Sequence, residues 1–206
     1  MKPRYYILPL LLLFATCVVY PQKVYNNCGM EGSAKTAKLK QLNRDKNRYN
    51  APKDEDIDDS ISLSSILAPG DDEQRYSNTQ AAEITGYVID VKMGGIESCN
   101  CKATASQFRD THIELVADPK KTSQTLRVIV EMTPRIRQKM KAKGIDWSTS
   151  ALKSKFLHKW VKVKGWMLFD AEHWYNAENT NPDGDNIWRA TSWEIHPVTS
   201  IEVVSH

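Results

Sequence analysis

The sequence predicts a mainly β protein: a five-stranded barrel with a helix between its third and fourth strands, preceded by an apolar N-terminal anchor or signal. Three observations predict it. Five segments after Ala81 have strand character, the stretch between the third and fourth carries helix start and stop signals, and residues 1–21 look like a targeting segment. A length of 206 residues allows one ordinary domain with extensions, and a hydrophobic share of 41% suits a globular core.

The chain opens on Lys2 and Arg4, then an apolar run from Ile7 to Val19 flanked by Tyr5, Tyr6 and Tyr20. Positive charge ahead of an apolar run is an export signal, and aromatic flanks suit a membrane interface. Three forms fit: a cleaved signal peptide, an uncleaved anchor, and a lipoprotein signal in which Cys17 of "FATC" is acylated. The reading favours an exported chain tethered to the membrane through its N-terminus, in the cell envelope, over a soluble secreted protein.

Residues 22–80 read as a polar, partly disordered linker. A basic block, "KTAKLKQLNRDKNR", precedes the acidic "KDEDIDD", a composition that solvates rather than buries. The basic block could also lie against anionic lipid. Leu63, Ile66 and Leu67 form an apolar docking patch before the Pro69-Gly70 turn.

Residues 81–206 read as the folded domain. "EITGYVIDVKM" alternates Ile84, Gly86 and Val88 against Tyr87, Ile89 and Val91, a strand with Gly86 as its bend. Gly94 and Gly95 break it. "DTHIELV" sets Thr111, Ile113 and Leu115 opposite His112 and Glu114, and "TLRVIVEM" sets Val128, Val130 and Met132 opposite Arg127, Ile129 and Glu131. Thr133 and Pro134 have N-cap and first-turn chemistry, and Gly144 is placed to end that helix. A second short helix begins at Ser148, and "WVKVKGWMLF" and "RATSWEIHPVTSIEVV" supply the last two strands.

This element order resembles the OB-fold. More specifically, "GYVIDVKMGGIESCNC", "DTHIEL", "VEMTPR", "GWMLFDAEH" and "WEIHPVT" together resemble a bacterial family of exported OB-fold-like proteins of unknown activity. The resemblance implies a fold and a compartment, and no chemistry. An exported body meets an oxidising environment. With Cys17 in the apolar segment, Cys28 bridged to Cys99 or Cys101, a Cys99–Cys101 bridge, and three free thiols all remain open.

A net charge of +3 does not by itself announce a nucleic-acid binder. The open face of an OB barrel holds oligosaccharides or oligonucleotides on aromatic platforms. That makes Trp174, Tyr175 and Trp188 binding candidates, with Arg127 and Arg135 supplying charge, for an oligosaccharide, nucleic-acid or protein ligand. Trp160, Trp166 and Trp193 read as core. The alternative is a metal-dependent hydrolase of nuclease or phosphodiesterase type, for which Asp110, Glu131, Arg135 and Arg137 are the right kinds of residue. If Ile113, Leu115, Trp193 and Ile195 point inward, then His112, Glu114, Glu194 and His196 point outward, with Glu131 between them. The loop after the fourth strand brings His173, so His112, His173 and His196 with Glu131, or with Asp110, are candidate ligands of a divalent metal ion. The competing reading makes the histidines hydrogen-bond locks.

Overall fold

The computed structural model describes residues 25–206. The apolar segment, with Cys17, lies outside the described residues. No helix among the described residues is long and apolar enough to cross a membrane.

Five strands, β1 (Ala81–Met93), β2 (Thr111–Val116), β3 (Val128–Met132), β4 (Trp160–Phe169) and β5 (Trp193–Val203), close a barrel in the order β1-β2-β3-β5-β4. All pairings are antiparallel except β3 with β5, which is parallel. This is a five-stranded OB-like barrel. The alternation read from the sequence holds in β2, β3 and β5, where Ile113, Leu115, Val128, Val130, Trp193 and Ile195 fill the core. In β1 it slips. A bulge between Val88 and Asp90 brings Val91 into the core, not onto the opposite face.

Two helices connect β3 to β4. The first, Pro134–Lys141, is capped by Thr133, whose hydroxyl accepts from the Ile136 amide; the second, Thr149–Phe156, buries Leu152 and Phe156. Gly86 also has a packing role. A Cβ there would stand 2.9 Å from Leu63 Cδ2 and 3.2 Å from Leu115 Cβ. Its missing side chain makes room for Leu63 to enter the barrel.

That contact overturns the linker reading, because the segment ahead of β1 is part of the folded body. Ile61, Leu63 and Ile66 belong to the core. Asp72, fully buried, accepts hydrogen bonds from the Thr191 hydroxyl and the Ser192 amide, and its carbonyl accepts from Trp193 Nε1. Upstream, a helix at Ala37–Lys46 buries Asn43 and Lys46. Its docking face is polar, so hydropathy gives no sign of it. The Cys28–Cys101 disulfide ties the start of this segment to the β1–β2 loop, and Cys99 is left as a buried thiol.

Candidate functional site

The outward side chains of β2, β3 and β5 converge because the strands are neighbours in register. His112 faces Glu131 across β2–β3, and Ile129 faces Glu194 across β3–β5. On an exposed sheet these polar residues would be solvated. Here His112, Glu114, Glu131, Glu194 and His196 are all buried, because three elements form a lid. These are the Ala37–Lys46 helix, the β1–β2 loop, and the long β4–β5 connection.

The lid is fastened by charge and amide chemistry. Lys46, 1% exposed, places its ammonium 2.8 Å from Glu97 of the β1–β2 loop and 2.8 Å from Asp170 of the β4–β5 connection. Burial alone would lower the Lys46 pKa, but Asp170 and Glu97 override it and hold the group well above its ordinary value. Asn47 donates to the Cys99 carbonyl at 2.9 Å and accepts from Arg135 Nε at 2.9 Å. Trp188 closes the top, its ring 5.6 Å from that of His112 and 5.0 Å from that of His173.

Beneath the lid a chain of charge runs inward. Arg189 Nη2 lies 2.9 Å from Glu194 Oε2, and Glu194 Oε1 lies 2.9 Å from His196 Nδ1. Burial opposes ionisation of Glu194, yet Arg189 and then His196 push its pKa far down, so it is a carboxylate. A carboxylate only accepts, so His196 Nδ1 carries the proton of that hydrogen bond. Burial disfavours the imidazolium of His196. The Glu194 hydrogen bond and the charges of Glu131, Glu194 and Asp110 outweigh this and raise its pKa to about 9. Asp110 is pushed up to about 7, first by burial, against the pull of His196 and with Glu131 and Glu97 adding repulsion.

Six buried side-chain atoms among the described residues have no hydrogen-bond partner, and four are on this face: Asp110 Oδ1, His112 Nε2, Glu131 Oε2 and His196 Nε2. Buried polar atoms are overwhelmingly paired in native proteins, so this concentration singles the face out as the candidate site. Asp110, Glu131 and His196 each offer one ligand atom within 4.8 Å of the others. A second set, Glu97, Cys99 and Asp110, meets the same distance test. Its Glu97 is already committed to Lys46, and burial, then Asp110 and Glu97, push the Cys99 thiol pKa well up.

Of the residues singled out in the sequence, His112, Glu131 and His196 are therefore contiguous. His112 Nδ1 is 3.3 Å from Glu131 Oε1, and His196 Nδ1 is 3.8 Å from Glu131 Oε2. His173 stands apart, in contact with Trp188 and 3.9 Å from Asp170; Asp110, which the sequence offers as the alternative to Glu131, joins Glu131 and His196 in the cluster. Arg135 is 3% exposed and binds the Cys28 and Gly29 carbonyls, so it fastens the N-terminal segment and is not a ligand arm. Arg127 pairs with Glu114 at 2.8 Å. Trp174 donates to Glu73 at 3.2 Å beside an open groove of about 630 Å³, and Tyr175 is 72% exposed. Lys46, Asn100 and Arg189 escaped the sequence reading, since nothing local distinguishes them from solvated polar residues. Compared with protein-family models and with curated proteins, the chain matches none.

Proposed function

We propose that this chain is an extracytoplasmic, membrane-tethered binding module of the OB class that encloses a compact ligand between its strand face and its own lid. One observation carries this reading: four buried polar atoms without hydrogen-bond partners lie together on the face that OB barrels use for ligands. A polymer groove would leave that face open; here the lid covers it. The nuclease-type alternative needs guanidinium groups turned toward phosphate. Arg137 donates to the Thr111 hydroxyl at 2.6 Å and to the Gln107 and Arg109 carbonyls, and Arg127 and Arg135 are likewise held by protein groups.

Thermal shifts of the full chain in detergent test the proposal against divalent cations, small oxyanions, single-stranded DNA and neutral oligosaccharides. A compact ligand should raise Tm by mass action. Saturable DNA or oligosaccharide binding, with no response to any compact ligand, would refute enclosure. A Trp174→Ala variant reads the groove separately, because Trp174 and the neighbouring Asn179 and Glu178 suit a sugar ring better than the buried face does.

Export and tethering are supported by Lys2, Arg4 and the apolar run, and by the Cys28–Cys101 bridge, which belongs in an oxidising compartment. Fractionation of wild type and Cys17→Ser separates the routes. Release of the variant indicates acylation, retention indicates an anchor, and a soluble, trimmed wild type would sink both.

A further inference from the structure

We infer that the enclosed ligand is a divalent transition-metal ion of the zinc class, held by Asp110 Oδ1, Glu131 Oε2 and His196 Nε2. This rests on the enclosed-ligand reading and names its occupant.

The argument is the division of labour within each of the three side chains. Asp110 Oδ2 accepts from Asn100 Nδ2 at 2.8 Å, and Oδ1 has no partner. Glu131 Oε1 faces His112 Nδ1 at 3.3 Å, and Oε2 has no hydrogen-bond partner. His196 Nδ1 donates to Glu194 at 2.9 Å, and Nε2 has no partner. Each residue is thus oriented through one atom by an outer neighbour, and its other donor atom is left over. Metal ligands are supported in this way, with an imidazole fixed by a carboxylate and carboxylates fixed by hydrogen bonds. The three residues stand at 1%, 5% and 0% exposure, so the unpaired atoms are also out of reach of bulk water.

The donor set selects the ion. Two carboxylates and an imidazole match the nitrogen and oxygen preferences of zinc and its neighbours, whereas calcium and magnesium favour all-oxygen shells. Charge agrees: neither Asp110 nor Glu131 has a Lys or Arg ion pair among the described residues, so a dication that displaces the proton of His196 Nε2 to solvent as it binds would balance the two carboxylates. His112 acts as a positioning residue for Glu131. The Glu97, Cys99 and Asp110 set lacks this pattern, because Lys46 already neutralises Glu97.

The test uses the full chain in detergent, without a histidine tag, stripped with a chelator and loaded with Zn²⁺ or Co²⁺. The expected result is one ion per chain by elemental analysis, visible Co²⁺ absorption, and a Tm rise that Mg²⁺ and Ca²⁺ do not give. Asp110→Asn, Glu131→Gln and His196→Gln should each weaken Zn²⁺ binding by at least about tenfold, while His206→Ala, remote from the face, should not. Near-UV circular dichroism checks the fold of each variant; if one fails to fold, the wild-type Co²⁺ spectrum and the remaining variants carry the decision. Stripped, folded wild type that takes up neither ion overturns the inference, as does unchanged affinity in folded His196→Gln. Should a small oxyanion instead raise Tm in wild type but not in His196→Gln, the metal inference falls and enclosure stands. If no compact ligand binds, both fall.

Discussion

Replacing Lys46 with Met removes the one Lys or Arg cation shared by the buried Asp170 and the partly buried Glu97 while keeping roughly the length of the side chain. The ammonium is 2.8 Å from both Glu97 and Asp170, and Lys46 and Asp170 are at most 2% exposed. Breaking a buried pair by removing one partner costs roughly 3–5 kcal/mol, because the other charge stays buried and uncompensated. Two carboxylates are stranded here, so the upper end of that range is expected at neutral pH. The pH dependence follows from the shifts. Burial would raise the Glu97 pKa, but Lys46 holds it at about 2 against an ordinary 4.5. Its contribution is therefore present above 4.5 and is lost as pH falls toward 2. Lys46 is held well above its ordinary 10.5, so its contribution is full below 10.5 and lost only as pH rises through the higher folded value. Urea unfolding of both proteins at pH 7 and at about pH 3 reads the difference. The deficit should be large at pH 7 and smaller in acid, where the stranded carboxylates take up protons. A deficit under about 1 kcal/mol at pH 7, the scale of an exposed pair, would refute the reasoning, as would one that does not change with pH.

Leu63→Ala should cost about 2–5 kcal/mol by opening a cavity in the barrel, and Gly86→Ala about 1–3 kcal/mol by overpacking the same spot. The double variant should cost less than the sum in denaturant melts, since the new Cβ occupies space that Leu63 vacates. Reduction of Cys28–Cys101, or Cys28→Ser with Cys101→Ser, opens a link spanning 73 residues and should lower stability by about 2–4 kcal/mol, measured by unfolding with and without reductant. A fragment of residues 81–206 should show no cooperative urea transition, because it lacks Ile61, Leu63 and Ile66 and strands Glu97 and Asp170 without Lys46. A native-like melt of that fragment would restore the linker reading.

The barrel was legible because strand periodicity is a hydrophobic signal. Ile113 and Leu115, Val128 and Val130, Trp193 and Ile195 alternate with polar neighbours, and the core is built from them. The bulge that carries Val91 inward was not legible, since one extra residue leaves no mark on composition. The lid failed for a related reason. Asn43, Lys46 and Asn47 have helical spacing and are buried, yet they are hydrophilic, so the pattern that marks a docked helix was written in residues that hydropathy treats as solvent-facing. Within the site, His112, Glu131 and His196 were readable because three adjacent strands fix their common face. Choosing Asp110 over His173 depends on where two loops close, which strand spacing does not encode.

The distribution of charge under the lid shows why the face is more than a structural ion-pair network. Lys46 serves Glu97 and Asp170, Arg189 serves Glu194, and Lys92 and Arg127 serve Glu114. Each of these four outer carboxylates has a permanent cation in the chain. Asp110 and Glu131, at the centre, have no Lys or Arg ion pair among the described residues; Glu131 is paired with the imidazoles of His112 and His196, and Asp110 with the Asn100 amide. A network evolved for stability alone would gain by replacing the inner pair with amides or apolar groups, since buried unpaired carboxylates are costly. Local rules broken without compensation are expected at functional positions. Every outer carboxylate thus has a Lys or Arg partner, whereas the point where Asp110, Glu131 and His196 meet has neither among the described residues, and the positive charge within reach there is that of imidazole.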